Sequence, residues 1–358
     1  MSRFLMIDVG AGTMDILYYD EGSSLHYKGV VKSPVRYEAE KAETLTGNLI
    51  ITGCEMGGGP ITRALRRHAK DAEVIMSLAS AQTLSHDLEK VRSWGIRIVE
   101  DQEAEKLVET GHYNHLSLQD IEVDRIKGII DGFGVPFSFD VVAVCAQDHG
   151  TPPIGVSHLD FRHNIFAERL DKNPLPHTLL YRGDEVPATM NRLTSIAKSA
   201  ALLPTKEVYV MDSGMAAILG ASMDSHARSK QRTLILDVAT SHTIGAAMEG
   251  EEIAGFFEYH TIDITIERLD SLIRDLADGK LNHNEILAEG GHGAYIRKAI
   301  GFDDEQVIIA TGPKRGLVAG SSMPMVLGGP WGDNMMTGTV GLLEAVRRRK
   351  GLKPMDYV

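Results

Sequence analysis

Short apolar runs alternate with amphipathic stretches along the whole chain. The first run, Phe4 to Ile7, ends in Asp8, and a second apolar and aromatic run covers Met14 to Tyr19. Between them, residues 10–13 (Gly-Ala-Gly-Thr) have the composition of a tight turn, so the pattern predicts a β-hairpin. Continuous apolar runs are typical of strands buried on both faces. They predict buried strands at 140–146, 233–236 and 307–310, and further strands are predicted at 25–31, 48–52 and 208–211.

Helical periodicity occupies most of the intervals between these strands. In residues 265–277 apolar side chains recur every three or four positions, and Gly279 predicts the end of that helix. Pro60 suits the first turn of another helix, because its missing N–H would be unpaired there anyway. Further helices are predicted at 190–202, 215–221 and 338–350, whereas residues 151–187, rich in Pro, His and Asn, predict an irregular excursion. The alternation of strands and helices predicts an α/β fold.

One local arrangement occurs twice in the chain. An apolar strand, an aspartate, a small-residue turn and a hydroxyl follow one another at Asp8 and again at Asp237. The two halves are therefore expected to be versions of one unit, and 358 residues suffice for two lobes. We predict an N-terminal lobe over 1–203, with an insertion around 30–130, and a C-terminal lobe over 204–358.

Composition excludes several classes of protein. Hydrophobic residues make up 43% of the chain and charged residues 24%, as in packed soluble proteins, and the formal net charge is -12. That acidity argues against a nucleic-acid partner, which clustered basic charge would bind. There is no signal-peptide pattern and no apolar run of about 18 residues, so we expect a cytoplasmic protein without a membrane partner.

The segment Ile7 to Asp15 carries the strongest chemical signal. A glycine-rich hairpin after a strand can place backbone N–H groups around an anion, and Gly10 and Gly12 let the backbone approach phosphates. The Asp8 carboxylate can hold a hydrated divalent cation, and the Thr13 hydroxyl can reach a phosphate oxygen. The alternative is an ordinary tight hairpin with an exposed aspartate.

Later segments repeat parts of this pattern in a characteristic order. They are 208–217 with Asp212, 234–245 with Asp237, a strand and glycine turn at 308–316, and 332–334 leading into a helix with Gly338 and Gly341. From residue 4 to about 346 this order resembles the superfamily of actin, the heat-shock chaperone ATPases and the sugar and acetate kinases. The chain looks closest to a prokaryotic branch labelled pyruvate formate-lyase activating-like. We set that activity aside, because radical S-adenosylmethionine chemistry needs a three-cysteine motif and this chain has 2 cysteines.

The resemblance implies a two-lobed actin-like ATPase (ribonuclease H-like) fold, with mixed five-stranded sheets and helices on both faces. It also implies that Mg²⁺ and ATP bind between the lobes, and that ATP is hydrolysed or its γ-phosphate is transferred to a small-molecule acceptor. By position, Asp8 and Asp237 would hold Mg²⁺, mostly through water, and Asp212 would orient the attacking water or deprotonate the acceptor. The β- and γ-phosphates would contact Gly10, Gly12 and Thr13. The adenosine would be bordered by Gly312, Lys314, Arg315 and Gly341.

The second phosphate turn departs from the family pattern. Ala239, Thr240 and Ser241 stand where the family has two or three glycines, so hydroxyls would replace backbone donors. His242 beside them would hydrogen-bond a phosphate or tune a proton, or be a structural histidine bonded to a backbone carbonyl. The missing glycines favour an alternative function, a nucleotide-gated binding, assembly or enzyme-activator factor with little turnover and a client protein as partner. The sequence leaves a homodimer open.

Four further features each have two interpretations. The loop 53–60 before a helix could bind an anion, with Arg63 nearby, or be a solvated loop. Asp148, with His149, could deprotonate an acceptor hydroxyl or cap a turn. The residues His158, Asp160 and His163 have a spacing compatible with a metal site or with ordinary surface polarity. Cys54 could ligate a cluster, although Cys145, in a buried run, is expected to pack as a small hydrophobe.

Overall fold

The computed structural model describes residues 2–153, 155–303, 306–353 and 355–357. The strands in these ranges are, in chain order, β1 (Arg3–Val9), β2 (Thr13–Asp20), β3 (Leu25–Lys32), β4 (Leu49–Gly53), β5 (Val74–Ser77), β6 (Ile96–Val99), β7 (Asn114–Leu118), β8 (Phe139–Ala146), β9 (Leu180–Arg182), β10 (Thr205–Asp212), β11 (Arg232–Val238), β12 (His242–Glu249), β13 (Glu252–His260), β14 (Gly293–Ile296), β15 (Val307–Thr311) and β16 (Met325–Leu327).

The helices are α1 (Pro34–Thr44), α2 (Pro60–His68), α3 (Leu78–Ala81), α4 (Leu88–Arg92), α5 (Asp101–Glu109), α6 (Val123–Phe133), α7 (His158–Lys172), α8 (Asn191–Ala200), α9 (Ser213–Ser222), α10 (Ser225–Arg228), α11 (Ile266–Ala277), α12 (His283–Ala288) and α13 (Thr337–Arg349). Every strand and helix that the sequence pattern predicts is confirmed within a few residues. In the described ranges, no helix is long and apolar enough to cross a bilayer.

Five strands of each six-stranded sheet share one order, and the sixth strand lies at a different edge: β9 beside β10 in the first sheet and β14 beside β13 in the second. The first sheet is ordered β3-β2-β1-β8-β10-β9 and the second β14-β13-β12-β11-β15-β16. In each sheet three antiparallel strands form a meander, and two parallel strands are added beside the first of the three. This duplicated order is that of the ribonuclease H-like unit. Two such units around a cleft form the actin-like ATPase fold, and the predicted fold class is confirmed.

The boundary between the two units lies later than the sequence suggested. Strand β10 pairs with β8 in the first sheet, in parallel, from Thr205 to Asp212. The first sheet therefore extends past the boundary predicted between residues 203 and 204. A strand that starts a new lobe and a strand that completes the old one have the same apolar pattern, so the pattern could not distinguish them.

A third, four-stranded sheet lies between β3 and β8 in the chain. Its order is β6-β5-β4-β7, and all of its pairs are parallel. It has its own apolar core, which includes Ile51, Leu65, Val74 and Leu116. Of its strands the apolar pattern predicted only β4, because β5 and β6 are four residues long and β7 is half polar.

The prediction of an irregular segment at 151–187 is wrong, because helix α7 occupies fifteen of its residues. The buried positions of α7 are Arg162, Phe166 and Leu170, spaced four residues apart. One of these three is charged, so the apolar stripe that normally marks a surface helix is incomplete. This helix matters for the site, because Arg162 points into the cleft region described below.

Helices α9 and α13 cross with their backbones almost in contact. A Cβ atom placed on Gly341 would lie 1.8 Å from the carbonyl oxygen of Ala216, and one on Gly220 would lie 1.8 Å from that of Thr337. Helix α13 packs on β1 and β8 of the first sheet, and α9 packs on β11 of the second. The crossing therefore ties the two sheets together. Gly341 was predicted to border the adenosine; it lies in this helix crossing instead.

We expect Gly341→Ala to lower the free energy of unfolding by about 3 kcal/mol, since overpacking a tight interior contact costs about 1–3 kcal/mol and here the contact is with backbone. Gly128→Ala is the matched control: it also lies within a helix, α6, and its Cβ would meet nothing within 4 Å. That change should be neutral or stabilise by about 0.5–1 kcal/mol. Urea denaturation of both variants measures the difference, and equal stabilities would refute the assigned crossing.

Candidate functional site

A cavity of about 1100 Å³ lies between the two six-stranded sheets. Its walls come from the β1–β2 hairpin, the β11–β12 hairpin and the loop 55–60 that precedes α2. Asp8 on β1 and Asp237 on β11 occupy equivalent positions in the two units, one residue before the last residue of the first strand. The duplication therefore brings both predicted metal ligands to one cleft.

Three aspartates in this cleft have raised pKa values. Burial raises the pKa of Asp8 to about 6 and that of Asp237 to about 7, the latter also through the charge of Asp8. Asp15 lies opposite Asp8 in the β1–β2 pair, and burial together with the Asp8 charge raises its pKa to about 8. Among the described residues, none of the three makes a salt bridge with a basic side chain. The three carboxyl groups thus lie close together in the cleft without a basic partner of their own in the described ranges.

Two glycines pack directly against these carboxyl groups. A Cβ atom on Gly338, in the first turn of α13, would lie 2.0 Å from Oδ2 of Asp8. A Cβ atom on Gly312 would lie 2.4 Å from Oδ1 of Asp237, and the φ of Gly312 is +89°. Any larger residue at either position would displace the carboxyl group or fill the space beside it.

The tips of the two hairpins lie directly against each other at the cleft. A Cβ atom on Gly12 would lie 2.9 Å from Oγ1 of Thr240. Gly10, Thr13 and Ser241 line the same cavity. The structure therefore brings together the residues that the sequence assigned to the phosphates, although their binding role stays a prediction.

The residues assigned to the adenosine are not brought together in the same way. Of the four, Gly312 lines the cavity, whereas Lys314, Arg315 and Gly341 do not. The Lys314 N–H donates to the carbonyl of Val238 at 2.9 Å, and its side chain is exposed. The Arg315 guanidinium donates to the carbonyl of Gly328 at 2.8 Å. The Lys314 backbone and the Arg315 side chain therefore hold the turn after β15, and neither basic side chain lines the cleft.

Asp212, predicted to orient the attacking water or deprotonate the acceptor, does not line the cleft cavity. It caps helix α9, with Oδ1 accepting from the N–H groups of Gly214 at 2.9 Å and Met215 at 3.2 Å. Its Oδ2 accepts from the Arg162 guanidinium at 2.9 Å, and Asp212 is 3% exposed. Both oxygens are occupied and the residue does not line the cavity. In this arrangement Asp212 is a positioning residue for α9 and Arg162.

Asp148 likewise has both oxygens occupied by backbone donors. They accept from the N–H groups of Gly150 at 2.7 Å and Leu193 at 2.9 Å, so the capping alternative is the one observed. His149 lines the cavity, and its Nδ1 is buried without a hydrogen-bond partner among the described residues. Burial, together with the charge of Arg162, lowers the pKa of His149 to about 3. His149 is therefore neutral near pH 7.

A buried network around Glu258 joins the two sheets. Arg162, on α7, donates to Glu258 at 2.5 Å, and the Gln147 amide donates to the other oxygen of Glu258 at 2.6 Å. Burial opposes ionisation of Glu258, but the Arg162 charge outweighs it and holds the pKa below the usual range. The sequence analysis did not identify Arg162 or Glu258 as site residues. For Glu258 a signal was available, because it is a charged residue inside the otherwise apolar strand β13.

Three histidines meet in the same cleft, beside the second hairpin. His242 is paired with His260 across β12 and β13, and His292 follows from the segment before β14. Nε2 of His242 is buried and has no hydrogen-bond partner within the described ranges, so the predicted alternative of a carbonyl-bonded structural histidine does not hold for this nitrogen. Burial lowers the pKa of His242 to about 4 and also lowers that of His260. The sequence singled out only His242.

The metal site considered at His158, Asp160 and His163 does not form. His158 lies 3.2 Å from the carbonyl oxygen of Gly150, whereas Asp160 lies 3.0 Å from Nε2 of His283. His163 stacks on His283, with ring centroids 3.8 Å apart. In the part of the chain that the structure describes, these three side chains do not converge as ligands.

The two cysteines do not have the environment of cluster ligands. Cys145 is fully buried and lies beside Asp8 in the β1–β8 pair, as a packed side chain. The sulfur of Cys54 lies 3.8 Å from the Ser199 hydroxyl. Burial raises the pKa of both thiols, so neither is a thiolate near neutral pH.

The family model described as "Putative pyruvate format-lyase activating enzyme (DUF1786)" matches residues 56–317, well over half of the chain. The protein belongs to this family, which confirms the branch that the sequence motifs resemble. None of the curated proteins matches the chain.

Solved structures with a similar fold cover most of the chain. AlfA of a B. subtilis plasmid, determined as a filament, is 11% identical with a TM-score of 0.38, covering 96% of this chain and 98% of its own. An inorganic polyphosphate/ATP-glucomannokinase from Arthrobacter is 14% identical with a TM-score of 0.36, covering 97% and 100%. A Bacteroides thetaiotaomicron protein of actin-like ATPase fold and unknown function is 8% identical with a TM-score of 0.34, covering 88% and 85%. The strand order of the two sheets, described above, is what defines the fold here.

Proposed function

We propose that the cleft binds Mg²⁺-ATP and that the protein hydrolyses this ATP or transfers its γ-phosphate to a small-molecule acceptor. The observation that carries the proposal is the group Asp8, Asp15 and Asp237, whose carboxyls lie between two facing hairpins with raised pKa values and no basic partner in the described ranges. A divalent cation supplies the missing positive charge and prefers carboxylate oxygens.

The surrounding residues fit the proposed ligand. Asp8 and Asp237 would hold Mg²⁺, directly or through water, and Gly312 and Gly338 leave open the space beside them that a Cβ would fill. When bound, Mg²⁺ would neutralise phosphate charge, which is the main requirement of phosphoryl transfer. The backbone N–H groups and hydroxyls of the two hairpins would orient the phosphates. On the opposite wall, the loop 55–60 and Arg63 suit an acceptor that carries an anionic group.

The name of the family does not determine the activity. A glycyl-radical activase of the radical S-adenosylmethionine type needs three cysteines for its cluster, and this chain has 2. Both lie buried or half-buried as protonated thiols. We therefore keep the phosphoryl-transfer proposal.

A second candidate is a nucleotide-gated factor with little intrinsic turnover. It is favoured by Asp212 and Asp148, because each of their carboxylate oxygens already accepts a hydrogen bond from a backbone or Arg162 donor. Such bonds stabilise the ionised form and make each group a weaker base for a substrate proton. ADP release that rises with a small acceptor supports the kinase; tight binding without such release supports the gated factor.

Calorimetric titration of the metal-stripped protein with ATP, with and without Mg²⁺, tests the proposal. We expect one site per chain with micromolar affinity that requires Mg²⁺. Absence of binding under both conditions would reject a nucleotide site in this cleft. Product analysis with and without candidate acceptors then separates hydrolysis, transfer and gating.

The raised carboxyl pKa values predict a pH dependence of opposite sign for stability and for binding. Asp8, Asp237 and Asp15 keep their protons to about pH 6, 7 and 8 in the folded protein, whereas the unfolded chain releases them near 3.8. The folded state therefore binds more protons between pH 4 and 8, so the metal-free protein loses stability as pH rises through this range. Mg²⁺ competes with these protons.

Affinity for Mg²⁺-ATP should accordingly increase from pH 5 to pH 8, with proton release on binding. Titration calorimetry in two buffers of different ionisation enthalpy measures the number of protons released. Thermal denaturation without metal, across the same pH range, provides the companion measurement. An affinity that is constant between pH 5 and 8 would contradict the assignment of these carboxyls to the cation.

A further inference from the structure

The three cleft histidines are placed by strand pairing. His242 and His260 are direct partners in the antiparallel β12–β13 pair, so their side chains lie on the same side of the sheet. The N–H of His292 donates to the carbonyl of Glu258 at 2.8 Å, which fixes His292 beside the end of β13. The three ring centroids are 4.4 to 4.8 Å apart.

Their ring nitrogens converge. Nε2 of His260 and Nε2 of His292 are 3.0 Å apart, and one nitrogen from each of the three rings lies within 4.8 Å of the others. Two zinc-bound nitrogens in a tetrahedral site are about 3.3 Å apart, from Zn–N distances of about 2.0–2.1 Å. One pair already has nearly this spacing, and binding of a metal would require the third nitrogen to move inward from its present distance.

The hydrogen bonds of the cluster are incomplete. A contact between two imidazole nitrogens uses one N–H and one lone pair, and Nε2 of His242, although buried, has no hydrogen-bond partner within the described ranges. The side chain of His292 is 6% exposed. Buried polar atoms without partners are uncommon in folded proteins, so this cluster needs an explanation.

The Glu258 carboxylate lies beside the histidine cluster, next to His292. Oε1 of Glu258 lies 3.5 Å from Nδ1 of His292, and Glu258 is itself held by Arg162 and Gln147. A carboxylate near one ring nitrogen orients the other nitrogen toward a metal and increases its basicity. The same carboxylate therefore links the histidine cluster to the network that joins the two sheets.

We propose that His242, His260 and His292 bind a divalent transition-metal ion of the zinc class, with a fourth coordination position open to the cleft. Three imidazoles suit zinc, cobalt, nickel or iron, whereas Mg²⁺ prefers oxygen ligands, so this ion is distinct from the one proposed at the aspartates. All three histidines line the cavity, beside Thr240 and Ser241. The open position takes an oxygen ligand, such as water or a hydroxyl group of a molecule bound in the cleft.

Metal titration of the whole, metal-stripped protein tests the site. Zn²⁺ is added in competition with a chromophoric chelator, and Co²⁺ is added separately to record its visible d–d bands. We expect one Zn²⁺ per chain with micromolar or tighter affinity, a tetrahedral or five-coordinate Co²⁺ spectrum, and no displacement by millimolar Mg²⁺. The Co²⁺ spectrum of the unmodified protein reports nitrogen ligation without relying on any variant.

Variants locate the metal. His260→Ala and His292→Ala should each weaken Zn²⁺ binding at least 100-fold, whereas His68→Ala, at the end of α2 and outside the cleft, should not change it. Asp8→Asn should leave Zn²⁺ stoichiometry unchanged, so failure of this site and failure of the nucleotide proposal are distinguishable. Unaltered Zn²⁺ affinity in folded His260→Ala and His292→Ala, or an octahedral all-oxygen Co²⁺ spectrum, would overturn the inference.

Discussion

Replacing Asp8 with asparagine is expected to weaken Mg²⁺-dependent ATP binding at least 100-fold, or about 2.7 kcal/mol. The change removes one negative charge from the group of three aspartates but keeps the shape of the side chain. Burial raises the pKa of Asp8 to about 6, so at pH 8 its charge costs stability in the metal-free protein. The variant should therefore be at least as stable as the original at pH 8 without metal, while losing the nucleotide.

Lost nucleotide binding together with retained stability at pH 8 would show that Asp8→Asn removes a ligand and does not cause misfolding. Titration calorimetry measures the affinity, and thermal denaturation at pH 8 measures the stability. Asp20→Asn is the matched control, because Asp20 ends the same hairpin at its opposite end and accepts a hydrogen bond from Gly22. It should bind Mg²⁺-ATP like the original protein. Unchanged affinity in folded Asp8→Asn would remove Asp8 from the cation site.

Replacing Arg162 with methionine is expected to lower the free energy of unfolding by about 3–5 kcal/mol at pH 8. Methionine keeps most of the volume but leaves Asp212 and Glu258 without a cationic partner, and both are buried, at 3% and 4% exposure. Without a partner, a buried carboxylate is destabilised by its full desolvation free energy. The loss should be smaller at pH 5, where the freed carboxyl groups can take up protons.

Urea denaturation at pH 5 and pH 8 measures the loss of unfolding free energy at each pH. Arg67→Met is the matched control, since Arg67 forms a salt bridge of 3.2 Å with Glu43 on the exposed surface. That pair should contribute less than about 1 kcal/mol at either pH. A loss below 1 kcal/mol for Arg162→Met, equal at the two pH values, would show that the network around Glu258 does not join the sheets as described.

Much of the fold could be predicted from local patterns. The β1–β2 hairpin, the buried strand β8 and the amphipathic helix α11 follow from apolar runs and a glycine turn, which are properties of a few consecutive residues. Helix α7 could not be predicted in this way, because its buried face includes Arg162. The assignment of β10 to the first sheet also required the tertiary structure, because a strand's pattern does not name its neighbour.

The site residues likewise differ in how far local sequence could predict them. Asp8 and Asp237 stand out in the sequence because each ends an apolar strand before a turn of small residues. Lys314 and Arg315 also stand out there, yet the structure places them outside the cavity, since the turn after β15 is held against β11 by the Lys314 N–H. A motif predicts the backbone conformation of its own turn better than the direction of its side chains.

By itself, the sequence determined the two strand–aspartate–turn units, the α/β class and the position of the predicted cation ligands at strand ends. Only the tertiary structure decided what surrounds them. His242, His260 and His292 span fifty residues of chain, and Arg162 and Glu258 are 96 residues apart. These groups meet because strands pair and helices cross, and burial then removes water from them. The neighbours and the burial that determine the chemistry of these charges and unpaired nitrogens are not specified by any local pattern of residues.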